Sequence, residues 1–268
     1  MSFQPIIPMS GLGGWAFLSR TRAKQEASFN ATPMLQREAT YFREKIAEIR
    51  TADDLVKDRR LLRVALGAFG LQQDLDSRAF IRQVIEGGTD DRRALANRLA
   101  DKRYLALAQG FAHLAKGAGQ TTAPDGLAER LITQFKAREF EVAVGEQDQN
   151  MRMALALQRD LPALVQDYKT EKSRWYALLG NPPLRQVVET SLGLPKEFGL
   201  LDIDDQVIRM RKALQQRFGT SDLRDMADPD SIEKVTRRFM VMQQLREIQS
   251  NISPGNAALF LLQNTRRR

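Results

Sequence analysis

Cysteine is absent from the 268 residues, and with it go disulfides, thiol catalysis, iron–sulfur clusters and thiolate zinc sites. The core must hold without covalent staples. Histidine occurs once, as His113, so no pair of imidazoles can share a metal. No stretch approaches the roughly 20 apolar residues needed to span a bilayer. Convincing period-two strands are missing too. The opening MSFQPIIPMSGLGGWAFLSRTR has no basic residue before Arg20, and Pro5, Pro8 and its glycines break its apolar run. It makes a poor secretory signal, so the expected compartment is the cytoplasm. Export by an apparatus that leaves N-termini uncleaved stays open.

Forty-three per cent hydrophobic and 28% charged residues are ordinary for a globular protein. The net charge of +8 raises nucleic-acid binding as a possibility. Arg20, Arg22 and Lys24 against Glu26, together with Arg266, Arg267 and Arg268, place five of those eight charges in the terminal segments. Along the body, acids and bases are interspersed, as on a solvated helix surface.

Helical periodicity dominates. Leu35, Ala39, Phe42, Ile46 and Ile49 form one apolar stripe. Thr51 and Asp54 resemble a capping box before a helix from Leu55 to Phe69, which Gly70 should stop in a left-handed conformation. A helix over 77–86 ends at Gly87-Gly88, and Asp90 or Asp91 caps a brief one through Leu99. Asp101 opens another, bearing Tyr104, Leu107, Phe111 and Leu114. The segment 117–126 reads as a linker, with a long helix from Leu127 toward Leu157 and a restart or kink at Pro162. Asn181-Pro182, Asp228-Pro229 and Ser253-Pro254 each place a capping side chain before a proline suited to the first turn.

An internal duplication is visible in order rather than in strict spacing. LLRVALGAFGLQQDL (61–75) resembles LRQVVETSLGLPKEF (184–198), pairing Val64 with Val187, Gly70 with Gly193 and Leu71 with Leu194. Gly88-Thr89 and Gly219-Thr220 follow, then Ala100-Asp101 and Ala227-Asp228, then Phe111 and Phe239. The expectation is an all-α, multihelical protein of two related units in a superhelical or stacked arrangement. The domains expected are a flexible apolar and basic arm (1–34), unit 1 (35–116), the linker (117–126), unit 2 (127–265) and a basic tail (266–268).

Catalytic chemistry finds little footing. His113 has no nucleophile elbow to serve, and its helix-end position suits an imidazole electrostatically. The acidic clusters Asp53/Asp54, Asp90/Asp91 and Asp202/Asp204/Asp205 each precede a helix, where carboxylates cap amides. Ser10-Gly11-Leu12-Gly13-Gly14 lacks the strand and the Lys of a phosphate loop. Arg59, Arg60, Arg63, Arg237 and Arg238 read as solvated surface, and Met151, Met153, Met240 and Met242 as core packing. The terminal segments hold the interaction candidates: Phe3, Ile6, Ile7, Trp15, Phe17 and Leu18 at one end, Phe260 and Leu261 at the other. Apolar residues held between Pro and Gly suit an arm that orders on a partner.

TADDLVKDRRLLRVALGAFGL (51–71), FIRQVIEGGTDDRRALANRLADKRY (80–104) and WYALLGNPPLRQVVETSLGLP (175–195) resemble the helical alphaproteobacterial family known as domain of unknown function 1217, over most of 35–265. Members are typically encoded among flagellar genes, without an attached enzymatic activity. The resemblance implies a flagellum-associated role in assembly, or an exported component passing through the flagellar apparatus. It carries over no catalytic residues. The reading is a non-enzymatic protein–protein interaction or assembly protein without a cofactor or a catalytic or metal site. Its expected partners are flagellar structural or export proteins, with self-association open. The alternative is a nucleic-acid-binding helical module using the basic tails and surface arginines.

Overall fold

The structure, a computed structural model, describes residues 3–118 and 122–251. These residues form thirteen α-helices and four short 3-10 turns, with no strand among them. The helices are α1 (Gly11–Asn30), α2 (Pro33–Lys45), α3 (Ala52–Lys57), α4 (Arg59–Phe69), α5 (Arg78–Glu86), α6 (Leu95–Arg98) and α7 (Arg103–Gly110). Then come α8 (Leu127–Gly145), α9 (Gln149–Asp167), α10 (Glu171–Leu179), α11 (Pro182–Leu192), α12 (Ile203–Phe218) and α13 (Pro229–Asn251).

The chain forms two compact units. Among the described residues, unit 1 takes in those up to Ile7, those of 17–152 and Gly180–Pro182; unit 2 takes in Pro8–Ala16, Met153–Leu179 and those from Pro183 to Asn251. The division therefore falls inside α9 rather than in the 117–126 segment. The described residues before Met34 contribute to both units.

Unit 1 is built around α4, whose Leu61, Leu62, Val64, Ala65, Leu66, Gly67 and Ala68 are all buried. It packs against α2, α7 and, most extensively, α8. Gly67 permits that closeness: a Cβ there would lie 2.5 Å from the Phe135 ring of α8. Burial of a phenylalanine of this kind contributes about 1.5–3 kcal/mol. The apolar stripe of α2 faces the same core through Leu35, Ala39 and Phe42.

Caps fix the helix ends, and they also break two stretches that periodicity alone reads as continuous. Thr51 and Asp54 form the reciprocal capping box of α3. The next helix then stops and restarts, because Asp58 adopts an extended backbone and accepts hydrogen bonds from the Arg60 and Leu61 amides. The expected single helix 55–69 is thus α3 and α4. Likewise the expected helix 127–157 divides into α8 and α9. It ends at Gly145, and Asp148 caps the amides of Asn150 and Met151.

In unit 2, Pro162 lies within α9 and does not restart it. An interior proline costs about 3 kcal/mol, which the burial of Leu155, Leu157, Leu161 and Leu164 on the same helix offsets. Thr170 and Ser173 bond each other's amides and start α10. Helix α11 ends at Gly193 (φ +74°), whose N–H bonds the Thr190 carbonyl while that of Leu194 bonds the Glu189 carbonyl. Asp228 caps α13 through the amides of Asp230 and Ser231. Met240 is buried there, as expected of core packing, and so is Met151 in unit 1.

Unit 1 carries the same helix end at Gly70 (φ +73°). Its N–H bonds the Gly67 carbonyl, and that of Leu71 bonds the Leu66 carbonyl. This pair of bonds satisfies carbonyls that a terminating helix leaves orphaned.

Candidate interaction surface

The N-terminal candidates are mostly tied down. Gln25 of α1 is itself buried; it accepts the Ile6 N–H at 2.6 Å and donates to the Ile6 carbonyl at 3.2 Å. Gln147 donates to the Pro5 carbonyl at 2.5 Å. Trp15 is only 2% exposed and Leu18 is fully buried, so neither offers itself to a partner. Phe3, Ile7 and Phe17 are half-buried, and Ile6 alone of the described candidates is exposed, at 58%. Phe260 and Leu261, the Ser253-Pro254 cap and the 266–268 tail lie outside the described residues.

Helix α1 starts at Gly11, four residues before Trp15, and runs through Gly13 and Gly14. Each of those glycines sacrifices about 1 kcal/mol of helix propensity, which burial of the aromatic outweighs. They also make room. A Cβ on Gly11 would stand 1.9 Å from Gln244 Nε2, and one on Gly13 would stand 2.7 Å from Met9 Sδ. The glycines are close-approach positions, where sequence alone presents them as breakers.

The exposed apolar surface lies elsewhere, chiefly on unit 2. Val241, Leu245 and Ile248 stand at 39%, 47% and 53% exposure on α13. Their four- and three-residue spacing is that of a two-turn seam able to receive a second helix. Met9 and Leu12 are exposed on either side of Gly11, the residue against which Gln244 of α13 lies. The opposite side of α13 is buried through Ile232, Val235, Phe239 and Met240. With apolar residues on two sides, the helix shows little one-sided amphipathic pattern, which is why the seam is hard to find from sequence.

Between α10 and α12 is a cavity of about 290 Å³, with Trp175, Tyr176, Val207 and Ile208 among its lining. An ion pair and a hydrogen bond edge it. Arg211 meets Glu171 at 2.7 Å, and the Tyr176 hydroxyl donates to Asp204. Leu200, Ile203 and Ile208 are exposed on the same stretch of chain. An apolar centre inside a polar rim is the usual anatomy of a protein interface.

Most of the charged groups considered for chemistry meet partners within the fold, and His113 is the exception. His113 sits in the 3-10 turn after α7, buried, with neither ring nitrogen hydrogen-bonded among the described residues. Burial holds its pKa below the ordinary histidine value. Asp54, Asp91 and Asp202 accept backbone amides of their own turns. Asp53 pairs with Lys57 and Arg82. Tyr104 donates to Asp74 at 2.9 Å, and burial together with that bond raises its pKa to about 12. Arg59, Arg60 and Arg237 meet Asp76, Glu38 and Glu233. Arg238 donates to the Ser191 carbonyl instead. No described helix is long and apolar enough to cross a membrane.

No curated protein matches the chain. A crystal structure of protein AGR_C_984 from Agrobacterium tumefaciens superposes with a TM-score of 0.72 at 27% sequence identity. The match covers 91% of this chain and 99% of that one. The alphaproteobacterial origin of that protein agrees with the resemblance carried by residues 51–71, 80–104 and 175–195. Residues 68–232 match the model of a protein of unknown function, DUF1217, and the chain belongs to that family.

Proposed function

We propose that this chain is a non-enzymatic interaction or assembly protein associated with the bacterial flagellum, built from two related helical units. The observation that carries the interaction reading is the exposed seam of Val241, Leu245 and Ile248 on α13. Three large aliphatic side chains at this spacing on one face of a helix are of the sort that receives a partner's amphipathic helix. The flagellar assignment rests on the family, whose members are typically encoded among flagellar genes. Partners are then structural or export proteins of that organelle. The site of action is either the cytoplasm or, after export through the flagellar apparatus, the exterior.

The related-units reading is supported by repeated local construction. Gly70 and Gly193 end their helices with the same two backbone bonds, each followed by Leu. In both cases the carbonyl two residues before the glycine accepts a guanidinium Nε: Ala68 from Arg138 at 2.8 Å and Ser191 from Arg238 at 2.6 Å. The helix preceding each begins with a threonine in a reciprocal capping pair, Thr51 with Asp54 and Thr170 with Ser173. Three matched devices in one order are hard to obtain from independent helices.

The test is a pair of charge insertions into the seam, Leu245→Glu with Ile248→Glu, introduced into motile host cells. Both positions are exposed, so the melting temperature should barely move, within about 0.5 kcal/mol of stability. The wild-type protein should co-fractionate with flagellar structures, and the double variant should lose that association and reduce motility. Unchanged association and motility would remove the seam from the reading. Absence of the wild type from every flagellar fraction would remove the flagellum.

A further inference from the structure

Unit 1 contains a cavity of about 390 Å³ whose lining includes Arg63, Arg103, Arg152, Gln72 and Glu139. Its volume falls within the roughly 300–1,000 Å³ of small-molecule sites. Three guanidiniums line it, and their present partners are unequal. Arg103 is fully engaged: it grips the Asp101 carboxylate through Nε and Nη2, and it gives Nη1 to the Gly70 carbonyl at 2.6 Å. Arg63 reaches Glu139 only at 3.5 Å. The Arg152 side chain meets no acceptor among the described residues.

Arg152 is nonetheless held in place. Its aliphatic stem lies against Gly145, where a Cβ would come 2.5 Å from Arg152 Cδ and 3.1 Å from its Cβ. A glycine ending α8 therefore fixes the stem of an arginine whose charged head is left without a partner. Gln72 adds a second orphan donor, since its Nε2 is buried with no hydrogen-bond partner. A buried donor such as Gln72 Nε2 costs stability unless something supplies its acceptor, and the part-buried Arg152 head beside it is free to pair with the same group. Even with Asp101 counted beside Arg103, the lining holds one guanidinium more than it has carboxylates.

We infer that this cavity binds a small molecule through an oxyanion, a carboxylate or a phosphate group, with Arg152 as the principal anchor and Arg63 and Gln72 as further donors. The planar guanidinium matches two oxygens of either group at once, a geometry lysine does not reproduce. The site belongs to unit 1 and does not depend on the α13 seam of unit 2, so the two readings stand or fall separately.

Isothermal titration of the full-length protein with inorganic phosphate, and separately with citrate, tests the site. Saturable binding of at least one is expected, the responding probe telling phosphate from carboxylate, together with a rise in melting temperature. Arg152→Ala should weaken binding by about tenfold or more. Arg152→Lys should recover it only in part. Gly145→Ala, which displaces the stem, should weaken it as well. Arg93→Ala, an exposed arginine outside the cavity, removes the same charge and should leave binding unchanged. Failure of both probes to saturate at millimolar concentrations would overturn the site, and so would equal losses in the Arg152→Ala and Arg93→Ala proteins.

Discussion

The Trp15 indole N–H donates to a Glu233 carboxylate oxygen at 3.2 Å, joining residues 218 apart in the chain within unit 2. A segment that reads as a loose apolar arm is thereby held by a hydrogen bond and by nearly complete burial of its largest side chain.

Trp15 should consequently report a buried environment without any partner. In a Trp175→Phe background, its emission should be blue-shifted in the isolated protein and move to the red only on unfolding. Trp15→Ala should destabilise by about 3–5 kcal/mol, the range for removing a buried aromatic. Deleting residues 3–18 should lower the melting temperature sharply. A red, solvent-like emission with an unchanged melting temperature on truncation would restore the free-arm picture.

Gly67 and Phe135 give a second test, of packing in unit 1. Gly67→Ala places a methyl 2.5 Å from the Phe135 ring and should destabilise by about 1–3 kcal/mol through overpacking. The gain in helix propensity, about 1 kcal/mol, works in the opposite direction and is the smaller effect. Combining Gly67→Ala with Phe135→Leu should cost less than the sum of the single changes. Additive costs in chemical denaturation would show that the close approach is unimportant.

His113 gives stability a pH dependence of defined sign. Burial lowers its folded pKa from 6.5, so the unfolded chain takes up the proton more readily than the folded one. The stability associated with the neutral imidazole is fully present above pH 6.5. It is lost as pH falls below that value toward the depressed folded pKa. Denaturation midpoints should drop over this interval in the wild type and drop less in His113→Phe. Identical pH profiles for the two proteins would show that the imidazole titrates freely.

The helical class, most helix starts and the stop at Gly70 are legible in the sequence, because they depend on groups close together along the chain. The Thr51–Asp54 box, the Asp228 cap and the left-handed glycine each satisfy backbone groups within a few residues. The breaks at Asp58 and Gly145–Asp148 are local too, but an unbroken apolar period hides them. An aspartate can cap a new helix without interrupting the spacing of the buried residues around it.

Whether an apolar residue is buried or presented is decided at long range. Trp15 and Val241 look alike as hydrophobic side chains in sequence. One is covered in the fold, while the other lies on the uncovered side of a helix whose opposite face is already committed to the core. The role of a glycine is settled in the same way, since Gly11, Gly67 and Gly145 matter through Gln244, Phe135 and Arg152. Local pattern determined which segments became helices and where their ends are capped. Only the tertiary structure chose which faces those helices spend on the core and which guanidiniums remain unmatched, because burial and charge pairing depend on residues distant in the chain.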